Sequence, residues 1–184
     1  MRALAAKLKD ADIPPSDKTS VESGLTLLEG AKGAIDEQPQ RCWTAGFLAP
    51  LSTHLTRLAE FSRSSTAERH ALDPREDLLY TSLDSLLSLV QRHPNEPRPE
   101  CAKHTLGELT RIVLGEDSSE ALLPTHDVET REIAAQLLSE LFKGSAESRN
   151  VVREKFIKDV KSKPLLAHPK DRLKSAPSFS VQLN

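Results

Sequence analysis

Leucines and alanines three and four residues apart, in runs separated by prolines, constrain this chain more than any other feature. Val21, Leu25, Leu28, Ala31 and Ile35 make one run, and Leu79, Leu83, Leu86 and Val90 another. Ala102, Leu106, Leu109 and Val113 make a third, and Ile133, Leu137, Leu138 and Leu141 a fourth. Side chains so spaced share one side of an α-helix, because about 3.6 residues complete a turn. A strand would need apolar and polar residues to alternate, and no stretch does so over a useful length. The prolines fall between the runs, where a missing N–H and a fixed φ end a helix without breaking one. The expected fold is all-α, with about seven helices.

Local signals place the ends. Met1 to Ala11 reads as a short helix closed by the stretch from Asp12 to Asp17, and Asp17 to Ile35 as a longer one weakened by Gly24 and Gly30. Cys42 to Arg63 reads as a short helix joined to a longer one at Ala49-Pro50, with Leu51, Leu55, Leu58 and Phe61 on the inner side. Asp73-Pro74-Arg75-Glu76 has the form of a capping box: Asp73 accepts from the free amides, Pro74 presets the first turn, and Glu76 reaches back. Further helices start at Pro99 and Asp127, and Gly115 and Gly144 stop them. Ser145 caps a last helix carrying Val152, Phe156, Ile157 and Val160. Beyond Lys163-Pro164 the pattern fails. Residues 1–163 are therefore read as one helical domain, and 164–184 as a basic, disordered tail.

Composition removes several function classes. A net charge of −2 gives no global attraction to nucleic acid or anionic lipid. Cys42 and Cys101 are too few for a disulfide framework or a zinc cluster, and read as buried, reduced thiols of a cytoplasmic or nuclear protein. The longest uncharged run, Cys42 to Thr56, is too short to span a bilayer, and the N-terminus lacks a secretory apolar core. His54, His70, His93, His104, His126 and His168 form no ligand pair at helical spacing, although Cys101 and His104 lie three apart. No nucleophile or phosphate-loop motif is present, so neither catalysis nor a cofactor is expected. Trp43 and Phe47 share one helix face and read as core anchors, Tyr80 being the single tyrosine.

Two segments repeat. Ala102 to Thr110 and Ala134 to Phe142 share Ala-x-x-x-Leu-small-Glu-Leu at an offset of 32 residues. The stretch from Thr130 through Leu-Phe-Lys-Gly and on to Leu166 resembles the junction between armadillo repeats, where one repeat's third helix runs into the next repeat's first. Glu100 to Leu123 resembles it more loosely. That resemblance implies an irregular armadillo/HEAT-like helical stack, although the offset is shorter than the roughly 40 residues of such units. In the peptide-binding members a Trp and an Asn clamp an extended peptide. Those places fall here on His104 and Glu108, and on Gln136 and Glu140, so the asparagine ladder is absent. What the resemblance implies instead is a groove edged by Glu108 and Glu140, suited to a basic segment of a protein partner.

The C-terminal end divides by charge. Glu116 to Glu147 holds eight acids against two bases, and Arg153 to Lys174 holds eight bases against three acids. The basic part lacks interleaved aromatics, which disfavours nucleic acid. Arg172 and Pro177 flank Ser175 in the pattern of a basophilic-kinase and phospho-reader site, making Ser175 a candidate for regulatory phosphorylation. The expected function is thus a protein–protein scaffold or adaptor. Two competitors are a compact helical bundle that is an obligate subunit of a larger complex, and an enzyme or small-molecule binder.

Overall fold

A computed structural model describes residues 1–13, 18–64, 74–92, 97–114, 126–143, 149–150 and 153–154. Among them the chain is all-α, with seven helices: α1 (Arg2–Asp10), α2 (Lys18–Glu37), α3 (Pro39–Thr44), α4 (Leu48–Ser64), α5 (Pro74–Arg92), α6 (Pro97–Leu114) and α7 (Val128–Phe142). No described residue is in a strand.

Helix α5 forms the centre, since from Ser82 onward its small serines as well as its leucines are covered on nearly every side. Every residue from Ser82 to Val90 except Asp84 is buried, including Leu83, Leu86, Leu87 and Leu89. Helices α2, α4, α6 and α7 pack around it. Buried Ser85 satisfies its hydroxyl by donating to the Thr81 carbonyl one turn back at 2.8 Å, whereas the Oγ of buried Ser82 meets no hydrogen-bond partner among the described residues. Enclosing each such leucine contributes about 1.5–3 kcal/mol relative to leaving it in water.

Side-chain contacts fix the directions. Gly24 faces Leu78, Lys32 meets Asp84 at 3.4 Å, and Asp36 meets Arg92 at 3.2 Å, so α2 and α5 run in the same sense. Glu76 in the first turn of α5 meets His126 and Asp127 at the start of α7, which makes α7 same-sense as well. Helix α6 runs the other way: Arg98 near its start pairs with Glu140 near the end of α7, and Arg131 donates to the Val113 carbonyl at the opposite end. Because α4 and α6 touch each other as well as α5, they lie on one side of the row α2–α5–α7. Helix α1 bridges α2 and α4.

Two expected boundaries differ. The join between α3 and α4 is Ala45-Gly46-Phe47, not Ala49-Pro50. Gly46 takes φ +82°, a turn that favours glycine, and Pro50 sits inside the first turn of α4. Trp43 and Phe47 therefore do not share one helix face, although Phe47 is fully buried and Trp43 packs against the core. Helix α6 begins at Pro97, two residues before Pro99. At α7 the signal reads correctly, because Asp127 Oδ1 accepts from the Thr130 amide at 2.6 Å as an N-cap. Asp73, Gly115, Gly144, Ser145, the apolar residues expected from Val152 to Val160, and the tail with Ser175 lie outside the described residues.

Candidate functional site

The 32-residue recurrence corresponds to a common burial register. Cys101, Ala102, Thr105 and Leu109 of α6 are buried, as are Ile133, Ala134, Leu137 and Leu141 of α7. Yet α6 and α7 are antiparallel neighbours. The pairings at their two ends place His104 level with Gln136, both exposed, but leave Glu108 and Glu140 about 12 Å apart along the axes at 1.5 Å per residue. A ladder of equivalent residues needs helices running in the same sense, so these two carboxylates do not form one.

Each glutamate is also occupied within the chain. Glu108 Oε1 accepts from Arg111 Nη1 at 2.7 Å, and only 12% of its side chain is exposed. Glu140 accepts from Lys143 at 2.6 Å and from Arg98 at 3.2 Å. Lys143 first, and then Arg98, hold its carboxyl below the usual carboxylate range against the opposing effect of burial. His104 lies on the surface against Glu100 at 3.0 Å.

Cys101 and His104, three apart in sequence, do not share an environment. Cys101 is fully buried, its thiol 3.5 Å from Thr105 Oγ1, and burial pushes its pKa up to about 11. Burial likewise raises the thiol of Cys42. Both are inert as nucleophiles at neutral pH. His126 is buried against Glu76, with Nδ1 at 3.1 Å from Oε1, and this contact ties α5 to α7. Among the described residues no three His, Cys, Asp or Glu side chains gather as a metal site, and no helix is long and apolar enough to cross a membrane.

An open concave feature lies elsewhere, between α1 and α4. It has a volume of about 700 Å³. Its α1 wall is the stripe Arg2, Ala5, Ala6 and Lys9, and its α4 wall includes Ala49, Thr53 and Arg57. The turn at Ala45-Gly46 closes one end. His54 lies beneath, 1% exposed, with Nε2 at 2.6 Å from the Leu8 carbonyl oxygen. A carbonyl only accepts, so Nε2 carries the proton, and burial then favours the neutral ring by lowering its pKa. The histidine thereby satisfies one of the carbonyls that the end of α1 leaves unpaired. The spacing 2, 5, 6, 9 was visible in the sequence as one helix face. Its opposite wall was not, because nothing local says that α1 docks on α4. No family model matches this chain, nor does any curated protein or solved structure.

Proposed function

We propose that the chain is a protein-binding scaffold or adaptor, acting through a short helical stack. The observation that carries this reading is the groove between α1 and α4: open, about 700 Å³, and floored by small side chains that let another backbone approach. Two further features support it. Helices α2, α5 and α7 start at residues 18, 74 and 128, intervals of 56 and 54, and run in the same sense with α4 and α6 behind them. That arrangement favours a HEAT- or armadillo-like stack whose unit is this longer interval rather than the 32-residue recurrence. A basic segment seated on Glu108 and Glu140 is the weaker version, since it would have to displace Arg111 and Lys143.

The enclosure of α5 favours a second reading, a compact bundle serving as an obligate subunit. Such a subunit leaves a wide apolar patch when alone. Among the described residues the large exposed apolar side chains are Met1, Tyr80 and Val128.

One experiment separates the readings. The full chain is purified from its native cells with its stoichiometric partner, the two are reconstituted, and affinity is measured by calorimetry. Ala49→Trp, which fills the groove, should weaken binding by about tenfold or more, whereas Ser139→Trp on α7 should leave it unchanged. A chain that elutes alone at every concentration and acquires no partner overturns the scaffold reading. Self-association of the isolated chain supports the subunit.

A further inference from the structure

The groove between α1 and α4 has a distinct chemical signature. Arg2 and Lys9 stand at the ends of its α1 wall and Arg57 on its α4 wall, and the lining contains no Asp or Glu. Among the described residues none of these three cations is ion-paired, in contrast to Lys32, Arg98 and Arg111. Between the cations the surface is apolar and small: Ala5, Ala6, Ala49 and Pro50. The chain as a whole is weakly acidic, so this is a local excess rather than a consequence of net charge.

Resting on the protein-binding reading, we propose that the groove receives an acidic segment of a partner protein, in which two carboxylates flank a short apolar stretch. The spacing follows from the helix. Seven residues separate Arg2 from Lys9, about 10 Å along α1 at 1.5 Å per residue. A peptide in the polyproline II conformation covers about 9 Å in three residues at about 3.1 Å each and returns every third side chain to the same face. Carboxylates at positions i and i+3 of such a segment therefore reach both ends, and the short apolar stretch between them lies over the alanines. Arg57 on the facing wall adds a third cation. A nucleic acid is a poorer occupant, because the lining holds no Phe, Tyr or Trp for bases to stack on and the ring of His54 is covered. A small free anion would use one cation and leave the apolar floor exposed.

The test uses the full chain, isotopically labelled, and the peptide Gly-Glu-Leu-Ala-Glu-Gly as probe, titrated by amide NMR at low salt. Shifts should concentrate at Ala5, Ala6, Ala49 and Thr53, and the affinity should fall steeply as salt rises. Lys9→Glu with Arg57→Glu should weaken binding by about tenfold or more, whereas Lys7→Glu with Lys103→Glu, the same change in net charge away from the groove, should change it less than about twofold. Circular dichroism confirms that both variants stay helical. Equal binding of Gly-Lys-Leu-Ala-Lys-Gly, shifts centred elsewhere, or no binding by the wild-type chain would each overturn the acidic-segment assignment. Tighter binding of tripolyphosphate at the same amides would replace it with a phosphate ligand. If the native partner is sensitive to Ala49→Trp yet the acidic probe fails, the scaffold reading stands and only the chemistry of its partner is wrong.

Discussion

Arg98 and Glu140, 42 residues apart in sequence, meet at 3.2 Å with 8% and 13% of their side chains exposed. The pair joins the first turn of α6 to the last turn of α7, and with Arg131 on the Val113 carbonyl it fixes the antiparallel alignment of the two helices. Removing one partner of a covered ion pair costs more than the pair contributes net, because the remaining charge stays desolvated. Glu140→Ala should therefore lower unfolding stability by about 2 kcal/mol, and Glu140→Gln, whose amide oxygen still accepts, by less. Urea unfolding followed by circular dichroism measures both. Equal stability of Glu140→Ala and wild type would show that the pair is incidental.

Acid should expose the same linkage. The carboxyl of Glu140 is held low by Lys143 and Arg98, and that of Asp36 by the Lys32 hydrogen bond, with Arg92 adding to it. A carboxylate whose folded pKa is depressed contributes stability that is complete above its unfolded value, near 4, and is lost as pH falls through the lower folded value. Wild type should thus lose stability steadily from about pH 5 downward, while the gap between it and Glu140→Gln narrows over the same range. Parallel curves from neutral pH to about pH 3 would contradict the assigned coupling.

The sequence carried the helices well and their arrangement poorly, for a physical reason. Burial periodicity is local, so the stripes through Leu83, Leu106 and Leu137 could be read from spacing alone, and Asp127 announced its own N-cap. Helix direction is not local. The recurrence linking Glu108 to Glu140 suggested translated copies, whereas the fold sets their helices antiparallel, so like residues in the repeat are not like places in space. Glu76 shows the same limit. Its spacing suggests a capping box with Asp73, which lies outside the described residues, but no local spacing could reveal that its carboxylate reaches across to His126 and the Asp127 amide. The groove was half legible, since one wall follows from the spacing of Arg2 and Lys9 and the other depends on tertiary docking.

His54 makes that docking sensitive to pH. Its neutral ring donates to the Leu8 carbonyl, and burial lowers its pKa, with Arg57 acting in the same direction. A histidine with a depressed folded pKa contributes stability that is complete above its unfolded value of about 6.5 and declines as pH falls below it. The loss should be felt first at α1, whose attachments are few. Amide exchange across residues 2–10 should accelerate between about pH 6.5 and 5 relative to the intrinsic rate, before α5 changes. His54→Leu should abolish that dependence while loosening α1 at every pH. Uniform protection of α1 down to about pH 5 would rule out the mechanism.

Glycine substitutions probe the seam between α2 and α5. A helix-interior glycine costs roughly 0.5–1 kcal/mol relative to alanine, because the unfolded chain has more freedom to lose. At Gly30 and Gly33 an added Cβ meets nothing within 4 Å, so Gly30→Ala and Gly33→Ala should each stabilise by about that amount. Gly24 has the same propensity but a different neighbour. Its Cβ would sit 3.3 Å from Leu78 Cδ2, and Leu78 is fully buried in the core. To keep normal contact the leucine must shift by a few tenths of an ångström into packing that has little room. Gly24→Ala should therefore fall short of the other two by about 1 kcal/mol and is expected to be neutral or destabilising. Gly46→Ala should destabilise by about 1 kcal/mol for a different reason, since φ +82° strains any side chain even where space is open. Thermal or urea unfolding of the four variants gives the ranking Gly30 and Gly33 above Gly24 and Gly46. Equal gains at Gly24 and Gly30 would mean that α2 and α5 are not in close contact at Leu78, and the same-sense alignment of the row would lose one of its three fixed points.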